Sequence, residues 1–278
     1  MINQYNSSIS FNGLSRNLSK KIYNVDSIQK FATIYPKSQS IVGNLPADWI
    51  KSMPKENKSD NIKNLYFELG LLISFKRICS RNNLLFDKLL TKILKKHHAI
   101  SDTAKLKVKK VDKGAFGQGF KIENSENNKP LFIKLFYKTS DKFYMHGSTA
   151  EANNKIYIKK HLPTKKQMHF SKFHYADIKN KYYIEEYLPE QNRLDPSTID
   201  YKTRKNSIIE IQKSLYDINL GHEDLNIHNY YIYKKNGKLT AKCFDLGGIY
   251  QINKDSKTKE DINHYYCTNN PSLIWFFC

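Results

Sequence analysis

The chain has 278 residues, and 40% of them are hydrophobic, which is enough apolar material for a folded core and excludes a wholly disordered protein. Lysine and arginine number 46 against 26 acidic residues, so the formal net charge is +20. This charge is compatible with an acidic partner, but a solvated lysine surface that binds nothing specific is the favoured interpretation. No pattern in the sequence indicates specific nucleic-acid binding.

Cysteine spacing and apolar runs give no sign of a metal knuckle or a membrane anchor. The four cysteines have no CxxC spacing, so we expect free thiols in a reducing compartment. The most apolar run, residues 65–78, is interrupted by Glu68 and Lys76 and is too short to cross a bilayer. The sequence therefore predicts no membrane span, although contact with acidic lipid stays open.

The first part of the chain divides into a leader and a helical region. Residues 1–58 are polar and contain three prolines, which predicts a loosely ordered leader. Residues 59–105 carry apolar residues at helical spacing in two segments, and Asp60 is a candidate cap for the first helix. We therefore expect a small helical extension at 59–105.

From residue 106 the apolar period changes to two. The pattern predicts a strand, a glycine-rich turn, a strand, a polar turn at 123–130 and a third strand at 131–136. A helix at about 148–162, a hairpin turning at 179–180 and a helix at 203–219 follow. A second hairpin, with strands at 230–235 and 239–244, completes the pattern.

The most informative stretch is the polar loop from Gly221 to Asn229. Asp224 and Asn229 lie five residues apart in this loop, and the second hairpin brings Asp245 back beside Asn229. Three oxygen ligands can therefore converge on one place. Phosphoryl transfer needs such a set: one carboxylate to orient the attacking group, and an Asn with a second carboxylate to hold Mg²⁺ on nucleotide phosphates.

A glycine-rich turn and a lysine upstream extend this pattern. The turn at 114–119 joins two strands, and glycine permits the close backbone approach that phosphate oxygens need, although ordinary hairpins use such turns as well. Lys134 has apolar neighbours on both sides, so we expect its ammonium group in an interior cleft, where it needs an anion. Glu151 on the following helix is the expected partner. Surface roles for Lys134 and Glu151 are the alternative.

These motifs, in this order, resemble those of protein kinases. GAFGQG resembles the glycine-rich loop, FIK the lysine motif of the third strand, HEDLNIHN the HRDLKxxN catalytic loop, and DLG the DFG metal motif. The intervals agree as well, with Lys134 fifteen residues after Gly119 and Asp224 ninety residues after Lys134. The resemblance covers residues 106 to 250.

The resemblance implies an α+β, kinase-like fold of two lobes, the first at about 106–188 and a reduced second one at about 189–278. It implies catalytic roles for Asp224 and Lys134, and ligation of Mg²⁺ by Asn229 and Asp245. It also implies a set of residues that contact ATP, namely Gly114, Ala115, Phe116, Gly117, Gln118 and Gly119 of the loop, the Lys134 and Glu151 pair, and Glu186 and Leu188 of the hinge.

Several departures from the kinase pattern are informative. Asp112 stands where the first loop glycine is usual, and Gly119 where a valine covers the adenine. Asn226 replaces the lysine of the catalytic loop, and Glu223 replaces the arginine that binds a phosphorylated activation loop. Only 31 residues follow Gly247, so we expect a truncated second lobe without an activation loop.

The truncation and the DLN sequence of the catalytic loop resemble the minimal effector kinases of the OspG and NleH kind, which bacteria inject into host cells. The polar segment at 10–19 is similar to the start of such effectors. The resemblance implies a virulence-associated serine/threonine-protein kinase, secreted by a type III system into the host cell cytoplasm. It implies a host protein as substrate, and ubiquitin or a ubiquitin-loaded conjugating enzyme as a candidate partner.

Two other functions and one register stay open at this point. The catalytic loop also suits a small-molecule phosphotransferase of the aminoglycoside or choline kind, and the substitutions suit a nucleotide-binding pseudokinase scaffold. At the hinge, either Ile184 or Glu185 faces the adenine. We expect Ile184 there, because an ionised carboxylate against a purine is costly.

Overall fold

The computed structural model describes residues 41–78, 83–113, 117–137, 148–191, 193–222, 225, 227–235 and 237–251. Within these residues four α-helices combine with antiparallel pairs of strands, so the fold mixes α and β structure. The chain forms two compact units. One contains Leu45–Val108 and Asn124–Asn128; the other contains Ile41–Asn44, Lys109–Glu123 and the described residues from Lys129 onward.

The helices and strands are numbered in chain order. The helices are α1 (Lys58–Ile78), α2 (Asn83–Lys96), α3 (Ser148–His161) and α4 (Tyr201–Asp217). The strands are β1 (Ile41–Gly43), β2 (Leu106–Lys113), β3 (Gly117–Asn124), β4 (Asn127–Phe136), β5 (Phe173–Asp177), β6 (Tyr182–Glu186), β7 (Arg193–Leu194), β8 (Leu220–His222), β9 (Tyr230–Lys235), β10 (Lys238–Cys243) and β11 (Ile249–Gln251).

The first unit is built around α1 and α2, which pack against each other as their apolar spacing predicts. The buried side chains of this core include Leu65, Leu69, Leu72, Phe86, Leu89 and Ile93. Glu68 is buried among them, and it binds Lys96 at 2.7 Å and His97 at 3.1 Å. The carboxylate that interrupts the apolar run of α1 is therefore paired across the helix interface.

The start of α1 differs from the prediction. The helix begins at Lys58, so Asp60 lies inside the first turn instead of capping it. Asn57 precedes the helix in a left-handed conformation, and its carbonyl oxygen accepts the amides of Asp60 and Asn61 at 3.0 Å. The carboxylate of Asp60 contacts Lys63. An acidic residue in the first turn still interacts favourably with the helix dipole.

The end of the predicted leader is ordered. The sequence predicts little structure over 1–58, and residues 1–40 lie outside the described residues. Residues 41–57 contain β1 and a short 3-10 turn, and Leu45, Trp49, Ile50 and Met53 are buried. The leader prediction is therefore wrong for 41–57. This segment has too few apolar residues to show a helical or strand period, but these residues are nevertheless buried in a core.

A six-stranded sheet dominates the second unit. Its strands follow the order β1-β5-β6-β4-β3-β2. In the pairing of β4 with β6, Lys134 lies opposite Tyr183, Ile133 opposite Ile184 and Phe132 opposite Glu185. Because side chains alternate between the two faces of a strand, the side chains of Lys134, Tyr183 and Glu185 lie on the same face of the sheet.

Two predicted strand boundaries are wrong. The polar turn expected at 123–130 is shorter, because β3 continues to Asn124 and β4 begins at Asn127. Pro130 is accommodated within β4, since the pairing with β6 starts one residue later, at Leu131. The glycine-rich turn is also shorter than expected, because Gly117, Gln118 and Gly119 belong to β3.

Helix α4 packs beneath the second hairpin and supplies the other part of the core. Its N-terminus is capped by Asp200, whose carboxylate accepts the amide of Thr203 at 2.9 Å. The buried residues of this cluster include Ile208, Ile211 and Leu215 of α4, Ile232 of β9, and Ala241 and Cys243 of β10. This packing fixes the end of β10, from which the chain continues to Asp245.

No helix in the described ranges is both long enough and apolar enough to cross a membrane. Cys243 is a free, buried thiol.

Two glycines of the second unit give a test of its backbone. Gly43 (φ +85°) and Gly237 (φ +74°) are both left-handed, but a Cβ on Gly43 lies 2.1 Å from the His174 carbonyl oxygen, whereas a Cβ on Gly237 meets nothing within 4 Å. Gly237→Ala should lower the free energy of unfolding by about 1–2 kcal/mol, the cost of a left-handed alanine. Gly43→Ala should lower it further, as measured by urea denaturation. Equal losses would contradict the described contact of β1 with β5.

Candidate active site

A cavity of about 480 Å³, here called the cleft cavity, opens beside β4 and β6 in the second unit. The residues that line it come from the six-stranded sheet, from the three-stranded sheet of order β10-β9-β7, and from the segments after β6, before β9 and after β10. They are Val111, Phe132, Lys134, Tyr183, Glu185, Glu186, Tyr187, Leu188, Arg193, His228, Tyr231, Phe244 and Asp245. Four residues of the predicted site, Lys134, Glu186, Leu188 and Asp245, are among them.

The predicted pair of Lys134 and Glu151 is present. The Lys134 Nζ lies 2.6 Å from the Glu151 Oε2, and their side chains are 13% and 4% exposed. Tyr183 donates a hydrogen bond of 2.7 Å to the other oxygen, Glu151 Oε1. Burial alone would lower the pKa of Lys134, but the charges of Glu151 and then Asp245 raise that pKa well above its usual range. Lys134 therefore carries its charge inside the cleft cavity.

Asp245 lies next to the same ammonium group. Its Oδ2 is 3.9 Å from Lys134 Nζ, its Oδ1 accepts the Gly247 amide at 2.9 Å, and its side chain is 34% exposed. Burial acts to raise the pKa of Asp245, but Lys134 and the Gly247 amide outweigh it, so the pKa is lowered. The carboxylate is thus ionised and open towards the cavity.

Asn229 and Asp245 meet at the end of the second hairpin, as predicted. The carbonyl oxygen of Asn229 accepts the amides of Phe244 at 3.1 Å and Asp245 at 3.5 Å. The pairing of Tyr230 with Cys243 continues this ladder into β9 and β10. The two candidate metal ligands therefore occupy neighbouring backbone positions.

Part of the predicted site lies outside the described residues. This applies to Asp224, to Glu223 and Asn226 beside it, and to Gly114, Ala115 and Phe116 of the glycine-rich loop. Leu225, next to Asp224, is described and is buried in the α4 cluster.

The described part of the glycine-rich loop has a packing role. A Cβ added to Gly117 lies 2.5 Å from the carbonyl oxygen of Leu135 on the neighbouring strand. Gly117 is therefore needed where β3 approaches β4, whether or not a phosphate binds nearby. Gln118 and Gly119 follow it within β3.

The hinge register is the reverse of the expected one. Glu185 lines the cleft cavity, whereas Ile184 is opposite Ile133 on the other face of the sheet. Glu185 is tolerated there because Lys155 of α3 binds its Oε2 at 2.8 Å and the Ser171 hydroxyl donates to the same oxygen. Burial nevertheless outweighs the Lys155 charge and raises the pKa of Glu185.

Lys155 is the main residue that the sequence analysis missed. Its side chain is 2% exposed and that of Glu185 is 3% exposed, so their ion pair is fully buried. The same Nζ donates to the carbonyl oxygen of Phe244 at 2.7 Å. The available signal was its position four residues after Glu151, which places both residues on one side of α3.

Two further side chains hold the Asp245 segment. Asn154 of α3 donates from Nδ2 to the carbonyl oxygen of Leu246 at 2.8 Å. His222 donates from Nε2 to the carbonyl oxygen of Asp245 at 2.8 Å. The position of His222 at the start of HEDLNIHN was the signal for a role in the site, but the sequence did not indicate its partner.

An aromatic surface lines another part of the cleft cavity. The rings of Tyr231 and Phe244 have centroids 4.5 Å apart, and the guanidinium carbon of Arg193 lies 3.1 Å from the centre of the Tyr231 ring. The Phe244 ring is tilted against Tyr231 and Arg193 covers a face of the Tyr231 ring, so this wall of the cavity is aromatic with one cation beside it. No sequence motif marked these residues.

Comparisons with known proteins give limited further information. No family model matches the chain, and no curated protein matches it in sequence. A solved structure described as the crystal structure of the BubR1 kinase domain is similar, with a TM-score of 0.38 and 15% sequence identity. The match covers 57% of this chain and 52% of that chain, so this chain spans about half of the structure it matches. A similarity at this level decides nothing about activity.

The buried pair of Lys155 and Glu185 can be tested by a double-mutant cycle. Lys155→Met or Glu185→Met alone leaves one buried group without its partner, and each should lower the free energy of unfolding by about 3–5 kcal/mol. The double variant should lose less than either single one, because no lone charge is left. The measurement is urea denaturation.

The control is the exposed Lys213 and Glu210 pair of α4, whose coupling should be about 0.5 kcal/mol or less. Additive losses at Lys155 and Glu185 would show that the two side chains do not stabilise each other.

Proposed function

We propose that this chain is an ATP-dependent phosphotransferase with a protein kinase-like fold of two lobes, the second of them reduced. The observation that carries the proposal is the buried Lys134 and Glu151 pair with Asp245 3.9 Å from the same ammonium, all beside a cavity of about 480 Å³. A charged lysine between two carboxylates in a cavity is the arrangement that phosphoryl transfer uses to place phosphate groups. The order of the four sequence motifs supports the same proposal.

The described residues fit ATP with Mg²⁺. The cavity volume lies in the range of about 300–1,000 Å³ that is typical of small-ligand sites, and Tyr231 and Phe244 offer flat faces for a base. No three His, Cys, Asp or Glu side chains gather into a metal cage in the described part of the chain. Mg²⁺ needs none, because one or two carboxylates, water and substrate phosphates usually suffice. Asp245, with Asn229 beside it, provides such donors.

In the proposed mechanism the chain acts by positioning and by charge. Lys134 holds the nucleotide phosphates, and Glu151 keeps the ammonium group directed into the cavity. Asn229 and Asp245 would hold Mg²⁺, which would supply charge neutralisation on the transferred group. Asp224 orients the attacking hydroxyl, so that its oxygen faces the phosphoryl group. Preorganised charges of this kind give phosphoryl transfer most of its rate.

The substrate in this proposal is a serine or threonine of a host protein, and the chain is an effector delivered by a type III system. The support is the resemblance of the catalytic loop and the polar segment at 10–19 to the OspG and NleH kinases. A ubiquitin-loaded conjugating enzyme is the partner proposed on the same ground.

Removal of residues 1–40 should abolish delivery into host cells, measured by immunoblot of the host cytoplasm, without loss of phosphotransfer.

Phosphotransfer can be tested with radiolabelled ATP. Lys134→Met and Asp245→Asn should each lower label transfer by at least about 100-fold, the loss typical for one preorganised charge at a reaction centre. Asp224→Asn should have a similar effect. Lys213→Met and Asp217→Asn change exposed residues of α4 outside the cleft cavity and should leave transfer unchanged. Full activity of Asp245→Asn would exclude the proposed mechanism.

The class of acceptor requires a separate measurement. The chain is incubated with labelled ATP, Mg²⁺ and a host cell extract, or with choline and an aminoglycoside in place of the extract. We expect label in protein, as phosphoserine or phosphothreonine after acid hydrolysis, and none in the small molecules. Label in choline or the aminoglycoside would indicate a small-molecule phosphotransferase. Binding of ATP without any transfer would indicate a pseudokinase scaffold.

A further inference from the structure

A second cavity, of about 360 Å³, lies beside α3 in the same unit. It is formed by α3, by the segment between α3 and β5, and by residues at the ends of β6 and β10. Lys155 and Leu246 line it from within the protein, and Met168, which is 52% exposed, lies among the residues around it. The proposed phosphotransfer makes no use of this space.

The charges around the second cavity are unbalanced. Two of its lysines are already paired, Lys155 with Glu185 at 2.8 Å and Lys242 with Glu186 at 2.9 Å. Lys159 and Lys172 line the same cavity and are exposed, and neither forms an ion pair with any carboxylate in the described ranges. An anion between them would therefore meet two ammonium groups that no carboxylate neutralises. Glu186 also lines the cavity, but its carboxylate is held by Lys242 and by the backbone amide of Lys172.

The two unpaired lysines also influence each other. Partial burial and then the charge of Lys172 lower the pKa of Lys159, as expected for two lysines that line one cavity. Lys159 Nζ lies 3.5 Å from the carbonyl oxygen of His174. Burial, followed by the Lys172 charge, lowers the pKa of His174 to about 4, so this imidazole is neutral at pH 7. The positive charge of the unpaired groups thus comes from the two lysines.

One part of the lining is apolar. Ile158, Phe170 and Phe173 are buried around the cavity, and Met168 leaves most of its flexible thioether side chain open to solvent. An exposed methionine beside a concave apolar surface is typical of a ligand site that adapts its shape. The cavity therefore combines an apolar wall with a pair of cations.

We propose that the second cavity binds a small amphipathic anion, with a phosphate or carboxylate group between Lys159 and Lys172 and an apolar body against Met168, Ile158 and Phe170. A volume of about 360 Å³ suits a small molecule better than a macromolecular surface. Its lining shares only Glu186 with that of the cleft cavity, and its existence does not depend on the proposed phosphotransfer.

Octyl phosphate is a direct probe of this site, because it joins the two required chemistries. Isothermal titration calorimetry of the full chain should give one saturable site for octyl phosphate. Inorganic phosphate supplies only the anion and 1-octanol only the apolar body, and each should bind at least about tenfold more weakly. Equal affinity for octyl phosphate and inorganic phosphate would overturn the proposal, since it would indicate general attraction to a basic surface.

Two double variants separate the site from the overall charge. Lys159→Gln with Lys172→Gln should weaken octyl phosphate binding at least about tenfold, because two charge-assisted contacts are lost. Lys160→Gln with Lys165→Gln removes the same net charge from exposed lysines that do not line the cavity, and should leave binding unchanged. All four lysines are exposed, so thermal unfolding midpoints should stay constant. An equal loss in both variants, or no binding to the unmodified chain, would refute the site.

Discussion

Two buried lysine–glutamate pairs hold α3 against the central sheet, and the geometry of the cleft cavity depends on them. Lys134 of β4 binds Glu151, and Lys155 of α3 binds Glu185 of β6. The apolar contacts of α3 with the sheet are modest by comparison, since they come mainly from the small side chain of Ala152 and from a partly buried isoleucine. Buried pairs cost desolvation energy, and they persist here because Tyr183, Ser171 and backbone carbonyl groups satisfy the remaining hydrogen-bonding atoms. Their geometry is therefore specific: a shift of α3 along the sheet would leave charges buried and unpaired.

The same helix also fixes the candidate metal ligand. Three consecutive carbonyl oxygens, those of residues 244, 245 and 246, accept hydrogen bonds from Lys155, His222 and Asn154 respectively. Peptide groups in a connecting segment are usually satisfied by water or by other backbone groups, so three side chains directed at one short segment are a strong constraint. The carboxylate of Asp245 is oriented as a result, and the Gly247 amide holds one of its oxygens. Preorganisation of this kind lets a site act without rearrangement.

Sequence reasoning found the parts of the site that depend on local pattern. Lys134 was predictable because it interrupts an apolar strand, and Asp245 because a short hairpin must return beside Asn229. Lys155 was not, since α3 has no clear apolar stripe from which its buried face could be read. Glu185 was misplaced because its burial cost was judged without the cation that α3 supplies from 30 positions earlier in the chain. The order of residues 41–57 was not predicted for a similar reason. Their contacts are made with distant parts of the chain, so the local sequence shows no apolar period from which a helix or strand could be predicted.

The net charge of +20 describes the surface of this protein better than its cleft. Around Lys134 the described carboxylates are Glu151, Glu185 and Asp245, and the two lysines among them are already engaged in ion pairs. A phosphate chain placed beside Asp245 would therefore meet little unbalanced positive charge from these residues. Its binding there requires an additional cation, which is the part that Mg²⁺ has in the proposed function. The excess of positive charge lies instead on exposed lysines such as Lys159 and Lys172. An anion can contact these lysines without displacing a carboxylate from an ion pair. In this chain the total charge and the chemistry of the candidate active site are thus separate properties.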